Sequence, residues 1–155
     1  MNLTIDYMKV SQLDEVFEIE KSCFVTPWSE ESLRKELSEN AVAVYLTALD
    51  GEKVIGYAGM WHVVNEGHIT NIAVHEDYRR RGIGTAIMNR LMSEAKEREM
   101  IGITLEVRIS NLNAQRMYTK LGFRPEGFRK SYYDDTREDA VIMWKYFTPD
   151  GHYYG

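Results

Sequence analysis

The sequence predicts an α/β domain in which a mixed sheet carries helices on its faces. Strand-like and helix-like hydrophobic patterns alternate along the chain. The pair Asp50-Gly51 separates two apolar runs and gives a strong hairpin signal. A chain of 155 residues is long enough for one hydrophobic core. We therefore expect one domain over residues 1–147, followed by a flexible tail over residues 148–155.

The first part of the chain is expected to form strands and two capped helices. Residues 3–8 alternate like a strand. Ser11 is a candidate cap for the first helix, and Asp14 stands at its capping-box position. Residues 24–28 break this helix, and Ser29 is a candidate cap for the second. Further strand-like runs cover residues 41–49, 53–61 and 67–74.

The second part continues the alternation around a long amphipathic helix. The apolar residues of this helix recur at i, i+4 spacing, at Ile83, Ile87, Leu91 and Ala95. Residues 102–107 alternate like a strand. Either Asn111 or Asn113 opens another helix, and Gly122 is expected to end it as the C′ residue. Two last strands are expected near residues 123–129 and 140–147.

Composition and charge exclude several protein classes. The net charge of −5 and the pI of about 5.4 argue against a general nucleic-acid binder and permit a cationic substrate. Acidic residues are dense between Asp14 and Glu39, and we expect most of these charges to lie on the solvated faces of two helices. No apolar run approaches the roughly 20 residues of a membrane span, and no secretion signal is recognisable. We therefore expect a cytoplasmic protein.

Cysteine and histidine give no support for a metal site. The single cysteine, Cys23, excludes an intrachain disulfide and any multi-cysteine metal site. No histidine is near Cys23 in the sequence, which favours a structural thiol over a nucleophile. The four histidines lack the spacing of a zinc-binding helix, so no metal is expected.

The most informative segment is a basic, glycine-bearing turn between a predicted strand and a predicted helix. It reads Arg79-Arg80-Arg81-Gly82-Ile83-Gly84-Thr85. Unpaired backbone N–H groups and the positive end of the helix dipole converge at such a helix start. Glycine removes side chains that would hinder the approach of a phosphate, and the arginines add positive charge. The segment predicts an anion site, with a solvated basic loop as the alternative interpretation.

Glu106 and Tyr118 are candidates for proton transfer. Glu106 lies between Leu105 and Val107 in a predicted strand and points to the opposite face by alternation. Ligands of open α/β sheets bind at the carboxyl ends of strands, where a shielded glutamate can accept a proton near neutral pH. A solvated glutamate at a sheet edge is the alternative. Tyr118 is either part of the core or places its hydroxyl in a cleft.

These features leave three function classes open. One is a small transferase that binds a pyrophosphate-bearing carrier. The second is a dinucleotide-binding module, because Gly82-Ile83-Gly84 begins like a Rossmann fingerprint and Glu106 follows at roughly the distance of its ribose-binding acid. Against this module, Ile87 stands where the third small residue should be, and the turn follows the fourth predicted strand instead of the first. The third class is a domain that senses a phosphopeptide or a nucleotide.

Four motifs in order resemble the GNAT acetyltransferases, and more specifically the RimI-type protein N-terminal acetyltransferases. The basic turn is similar to the acyl-CoA pyrophosphate loop of that family, with the pattern Q/R-x-x-G-x-G/A. The resemblance covers residues 3–147. The other matching segments are Asn71-Ile72-Ala73-Val74, Leu105-Glu106-Val107-Arg108-Ile109-Ser110-Asn111, Tyr118-Thr119-Lys120-Leu121-Gly122-Phe123, and Tyr132-Tyr133 followed by Glu138-Asp139-Ala140. The resemblance implies a GNAT fold, with a mostly antiparallel, splayed sheet of about seven strands and about four helices.

The resemblance also implies roles for individual residues. Glu106 would be the catalytic base and Tyr118 the catalytic acid. The residues implied to bind the acetyl-CoA carrier are Ile72, Ala73, Val74, Arg79, Arg80, Arg81, Gly82, Ile83, Gly84, Thr85 and Asn111. The residues implied to contact the substrate are Phe24, Pro27, Trp28, Tyr132 and Tyr133.

The implied reaction is acetyl transfer from acetyl-CoA to the N-terminal alanine of a small-subunit ribosomal protein. The amine would attack directly, without an acyl-enzyme. A protein N-terminal acetyltransferase of broader specificity, or one that acts on small-molecule amines, is the alternative. We expect a protein partner, and neither nucleic acid nor a membrane.

Overall fold

The computed structural model describes residues 1–147. Within them the elements are, in chain order, β1 (Leu3–Tyr7), α1 (Leu13–Cys23), α2 (Glu30–Glu39), β2 (Ala43–Asp50), β3 (Lys53–Val63), β4 (Glu66–Val74), α3 (Ile83–Glu97), β5 (Gly102–Arg108), α4 (Leu112–Lys120), β6 (Arg124–Arg129) and β7 (Ala140–Tyr146). Short 3₁₀ turns cover Val10–Gln12 and Glu76–Tyr78. In this described part, the strands form one seven-stranded sheet in the order β1-β2-β3-β4-β5-β7-β6.

The sheet is mixed and mostly antiparallel, which confirms the predicted fold class. Antiparallel pairing joins β1 to β2, β2 to β3, β5 to β7 and β6 to β7. β4 and β5 are parallel, and their register comprises three residue pairs, between residues 66–68 and 102–104. Because parallel neighbours need a crossover connection, the long helix α3 lies between them in the chain.

The chain divides into two compact units. The first unit consists of Met1–His62 and Thr70–Leu91, and the second of Val63–Ile69 and the chain from Met92 onward. Each unit buries apolar side chains of its own.

The core of the first unit is built on the apolar face of α1. Leu13, Val16 and Ile19 recur at helical spacing and are at most 3% exposed. Leu33 of α2 and Tyr57 of β3 belong to the same cluster. Full burial of one such side chain contributes about 1.5–3 kcal/mol. The apolar face of α1 therefore holds this helix in the core of the first unit, and it also sets where residues 24–28 begin.

In the second unit, the alternating residues of β5 lie on a buried face. Ile103, Leu105 and Val107 are at most 5% exposed, as period-2 alternation predicts. Phe123 and Met143 are buried as well. Glu106, between Leu105 and Val107, belongs to the opposite face of the sheet.

Local signals at the ends of helices are confirmed where a side chain caps them. Ser29 Oγ accepts a hydrogen bond from the Ser32 N–H at 3.1 Å. Asn111, and not Asn113, opens α4, because its Oδ1 accepts from the Ala114 N–H at 3.2 Å. Gly122 follows α4 with φ 98°, the left-handed conformation that suits a glycine at C′.

One expectation for the first helix is wrong, and one of its acidic residues departs from the expected general pattern. Ser11 does not cap it, because Ser11 lies inside the 3₁₀ turn Val10–Gln12, and α1 begins at Leu13 without a side-chain cap. Most acidic residues of this segment were expected on solvated faces, and Glu20 is an exception at 2% exposed. It lies seven residues after Leu13, on the same apolar face of α1.

The expected flexible tail, residues 148–155, lies outside the described residues, and the domain boundary at residue 147 stays a prediction. Within residues 1–147, no helix is both long and apolar enough to cross a membrane.

Candidate active site

The basic turn leads from β4 into the start of α3. Gly82 has φ 76°, and an added Cβ there would meet nothing within 4 Å, so the turn is open in front of this residue. The first hydrogen bond of the helix runs from the Ala86 N–H to the Gly82 carbonyl at 3.0 Å. The N–H groups of residues 83–85 therefore have no acceptor within the helix. No acidic residue lies in the first turn of α3. These features favour an anion at this position.

The three arginines of the turn have different surroundings. Arg79 is tied to the end of β4, because its Nε donates to the Val74 carbonyl at 3.3 Å and its Nη2 contacts Cys23 Sγ at 3.3 Å. Arg81 lies over the Tyr78 ring, with Cζ 5.1 Å from the ring centroid. Arg80 is exposed and has φ 64°. Arg79 therefore fixes the turn in addition to supplying charge.

The strand end that precedes the turn also contacts α1. The Cys23 thiol donates a weak hydrogen bond to the Val74 carbonyl at 3.7 Å, in addition to its contact with Arg79. These contacts agree with a structural thiol. The predicted roles of Ile72, Ala73 and Val74, and of residues 79–85, in binding the carrier stay predictions.

Glu106 lies on β5, next to β7. The pairing of β5 with β4 ends at Thr104, and Glu106 is paired with Ile142 of β7, so the catalytic role of Glu106 and the alternative of a glutamate at a sheet edge both stay predictions. Its side chain is 25% exposed, and Oε1 accepts from Arg129 Nε at 3.1 Å. Among the described residues, Oε2 accepts no hydrogen bond. One oxygen of this partly shielded carboxylate is therefore available to take a proton.

Tyr118 lies on α4 and is 6% exposed. Its ring centroid is 5.8 Å from that of Phe123. Burial raises the pKa of the hydroxyl to about 12, so it is protonated at neutral pH. No residue in the described range 1–147 forms a hydrogen bond with this hydroxyl. Buried hydroxyls normally have a hydrogen-bond partner. The Tyr118 hydroxyl is therefore available to donate a hydrogen bond to a ligand.

Arg108 orders the loop between β6 and β7, which carries the predicted substrate residues Tyr132 and Tyr133. Its Nη2 is 2.8 Å from Asp135 Oδ2, and its Nη1 is 3.2 Å from Glu138 Oε2. Its guanidinium also lies over the Tyr133 ring, with Cζ 4.0 Å from the centroid. Sequence reasoning did not single out Arg108. Its place two residues after Glu106, on the same face of β5, was a usable signal.

The same loop brings its two tyrosines into contact. The ring centroids of Tyr132 and Tyr133 are 5.1 Å apart in an edge-to-face arrangement. Burial raises the pKa of Tyr133 to about 12. Asn111 uses its side-chain oxygen to cap α4. Its side-chain NH₂ group donates to no residue within the described part of the chain, so it is available for the predicted contact with the carrier.

The remaining predicted substrate residues lie between α1 and α2, in the first unit. Phe24 is 36% exposed. The backbone N–H of Trp28 donates to Glu20 Oε2 at 3.0 Å. The Trp28 side chain lines an open cleft of about 510 Å³ together with Trp61. Pro27 lies next to Trp28 in the same loop.

The structure thus assembles the predicted residues in two groups. The first unit holds the basic turn, the end of β4 and the loop over residues 24–28, whereas the second unit holds Glu106, Asn111, Tyr118 and the tyrosine loop. Among residues 1–147, no group of three or more His, Cys, Asp or Glu side chains is arranged to hold a metal ion.

Comparison with known proteins identifies the family. The family profile described as "Acetyltransferase (GNAT) family" matches residues 13–123. A Bacillus subtilis (strain 168) protein, provisionally assigned as a ribosomal protein bS18-alanine N-acetyltransferase, is 42% identical over 88% of this chain and 91% of its own. The ribosomal protein bS18-alanine N-acetyltransferase of Escherichia coli (strain K12) is 35% identical over 90% of this chain and 95% of its own.

Solved structures agree with the sequence comparisons. The crystal structure of the ribosomal-protein-S18-alanine N-acetyltransferase from Escherichia coli superposes with a TM-score of 0.86 and 31% identity, and the match covers 98% of this chain and 99% of that one. These similarities favour the transferase over the dinucleotide-binding module. The chain belongs to the GNAT acetyltransferase family.

Proposed function

We propose that the protein acetylates the N-terminal α-amine of a protein substrate in the cytoplasm, with the N-terminal alanine of ribosomal protein bS18 as the favoured acceptor. The similarity to bS18-alanine N-acetyltransferases, over 88% and 90% of the chain, carries this proposal. GNAT acetyltransferases use acetyl-CoA as the acetyl donor. The open turn at Gly82, the free helix N–H groups and the arginines fit its pyrophosphate.

Acetyl-CoA supplies an activated thioester, and side chains of the protein would accept and donate the protons that the reaction moves. An α-amine has a pKa of about 7.7–8.0, so part of it is protonated at neutral pH and cannot attack. Glu106 would take this proton on Oε2, directly or through one water molecule. Backbone N–H groups of residues 72–74 would stabilise the charge that develops on the acetyl oxygen.

Tyr118 would complete the transfer as the acid. As the amine nitrogen bonds to the acetyl carbon and the carbon–sulfur bond breaks, the Tyr118 hydroxyl would protonate the departing sulfur. The new amide nitrogen loses its extra proton to solvent, and solvent returns a proton to Tyr118. Its high pKa keeps it protonated until that moment, and it has no competing partner among residues 1–147. Phe24, Pro27, Trp28, Tyr132 and Tyr133 would contact the first residues of the substrate.

The direct test is acetylation of a peptide that carries the N-terminal alanine of bS18. With acetyl-CoA, intact-mass analysis should show the gain of one acetyl group, and fragmentation should place it on the α-amine. The same peptide with a blocked α-amine is the control and should gain nothing. Equal acetylation of the blocked peptide, or of lysine side chains only, would contradict the proposal. Equal rates for unrelated N-termini would favour the broader specificity.

The cofactor site is tested by Gly84→Val. A branched side chain in the first turn of α3 should block the approach of the pyrophosphate to the free N–H groups. We expect acetyl-CoA affinity to fall at least tenfold, about 1.4 kcal/mol, by calorimetry. Ser93→Val places the same side chain at an exposed position of the same helix and should leave affinity unchanged. Unchanged affinity in Gly84→Val would remove the turn from the site.

The base is tested by Glu106→Gln, which keeps the size of the side chain but cannot accept the proton. The kcat at pH 7 should fall roughly 10²–10⁴-fold, with acetyl-CoA affinity retained. The loss should shrink at high pH, where more of the amine is already free. Glu126→Gln, an exposed glutamate on β6, is the matched control and should be fully active. A nearly native kcat in Glu106→Gln would show that the carboxylate is not the base.

The acid is tested by Tyr118→Phe, which removes only a hydroxyl. Because this hydroxyl has no hydrogen-bond partner in the described chain, the melting temperature should stay the same or rise. Turnover should nevertheless fall at least tenfold with KM nearly constant, the signature of an interaction made mainly in the transition state.

A substrate analogue separates the acid from the base. An acetyl thioester with a more acidic thiol and the same pyrophosphate arm needs less protonation of its leaving group. This analogue should partly restore the turnover of Tyr118→Phe but not that of Glu106→Gln. An equal response of both variants would show that the two roles are assigned wrongly.

A further inference from the structure

A buried carboxylate on α1 joins three segments of the first unit. Glu20 is 2% exposed. Its Oε1 accepts hydrogen bonds from the Tyr57 hydroxyl of β3 and from Asn71 Nδ2 of β4, the latter at 3.4 Å. Its Oε2 accepts from the Trp28 N–H at 3.0 Å. One side chain therefore holds the loop over residues 24–28 to two strands of the sheet.

This arrangement is costly for the fold. The three donors to Glu20 are neutral, and no cation is hydrogen-bonded to it among residues 1–147. Burial raises the pKa of the Glu20 carboxyl, because the charged form is less stable in the protein interior than in water. Glu20 occupies the apolar face of α1, one residue after the buried Ile19. A leucine would suit this face better, so packing alone does not explain a carboxylate here.

The partner on β4 is itself held in one orientation. Thr70 Oγ1 donates to Asn71 Oδ1 at 2.8 Å, which turns the side-chain NH₂ group of Asn71 towards Glu20. Gly59 leaves the room for this pair, because an added Cβ would lie 2.6 Å from Asn71 Oδ1 and 2.7 Å from Thr70 Oγ1. Asn71 directly precedes residues 72–74, which carry the backbone amides assigned to the carrier. The Glu20 carboxylate thus connects the substrate loop to that stretch of β4.

We propose that Glu20 is a positioning residue, which fixes the α1–α2 loop against β4 so that Trp28 is held ready for the substrate. The proposal rests on the proposed function, in which this loop contacts the peptide. Glu20 itself takes no part in proton transfer, because its oxygens are occupied by Tyr57, Asn71 and Trp28. Its effect should appear in peptide binding and not in the chemical step.

The test is Glu20→Gln. The Gln oxygen can replace Oε1 and keep Tyr57 and Asn71 as donors. Its NH₂ group would then face the Trp28 N–H, and two donors cannot bond to each other. We expect the KM for the peptide to rise about tenfold, the size of one lost hydrogen bond to a charged group. The kcat and the KM for acetyl-CoA should stay within about twofold of the native values.

The matched control is Glu15→Gln, on the same helix. Glu15 Oε2 accepts from the Val54 N–H at 3.0 Å, the same type of bond at the same length, but away from the substrate loop. This variant should leave the peptide KM unchanged. If both variants raise the peptide KM equally, or if neither does, Glu20 has no positioning role.

Hydrogen exchange gives a readout that is independent of activity. Amides of residues 24–28 should exchange faster in Glu20→Gln than in Glu15→Gln, with α2 and β3 unaffected. Unchanged exchange in this segment would overturn the proposal even if the enzyme acetylates the bS18 peptide. Conversely, faster exchange in a protein that acetylates no N-terminus would refute the proposed function and leave the anchoring role intact.

Should Glu20→Gln fail to fold, Glu20→Asp provides the same measurements. It keeps the charge but shortens the side chain by one methylene, so it cannot reach all three donors at once. A native peptide KM together with native exchange of residues 24–28 in this variant would contradict the proposal.

Discussion

The polar groups at the C-terminal end of β4 need hydrogen-bond partners where the strand leads into the basic turn. Side chains from α1 and from the turn supply these partners. Asn71 is bonded to the buried Glu20 of α1. Three residues further on, the Val74 carbonyl accepts from Arg79 Nε at 3.3 Å and contacts the Cys23 thiol. The end of α1, the strand and the turn are therefore connected through side chains. Because Arg79 and Cys23 hold the Val74 carbonyl, this strand end can present backbone N–H groups with little reorganisation, which is what electrostatic stabilisation of a developing charge requires.

In the second unit, by contrast, two polar side chains are left without a full set of hydrogen-bond partners. The Tyr118 hydroxyl is buried without a hydrogen bond, and Glu106 uses one carboxylate oxygen of two, as far as residues 1–147 extend. An unpaired buried hydroxyl costs about 1–3 kcal/mol, so phenylalanine would serve the fold at least as well. Such a cost is typical of groups whose partner arrives with the substrate. The pair of an unpaired donor and a half-used acceptor is therefore more informative about function than either residue alone, since acetyl transfer needs one group of each kind.

Structural features were predictable from the sequence where the interacting residues are close together along the chain, and less so where they are far apart. The cap at Asn111 and the left-handed Gly122 are set by contacts within a few residues, and both were predictable. Ser11 failed although its signal is local, because a 3₁₀ turn keeps its backbone helical where a cap needs an extended one. Nothing in the sequence distinguished Glu20 from the solvated acidic residues around it, because its partner on β4 lies 51 residues away. Arg108 was missed although it shares a face of β5 with Glu106, because the partner in its shortest ion pair, Asp135, lies 27 residues away. The proposed catalytic pair, Glu106 and Tyr118, came from motif resemblance and strand alternation, but the ion pair of Glu106 and the burial and raised pKa of Tyr118 required the structure.

The two loops assigned to the substrate are held by electrostatic interactions of opposite pH dependence. In the β6–β7 loop, the hydrogen bond from Arg108 lowers the pKa of Asp135, so this interaction stabilises the loop above the ordinary carboxyl pKa and is lost as the pH falls through the lowered value. In the α1–α2 loop, burial raises the pKa of Glu20, so ionisation opposes folding and the cost grows as the pH rises through the raised value. The Arg108 side chain is 28% exposed and open to screening by salt, whereas Glu20 is only 2% exposed and is screened far less. The two loops that we propose to contact the peptide therefore respond differently to solution conditions, and a change in pH or salt need not loosen both loops.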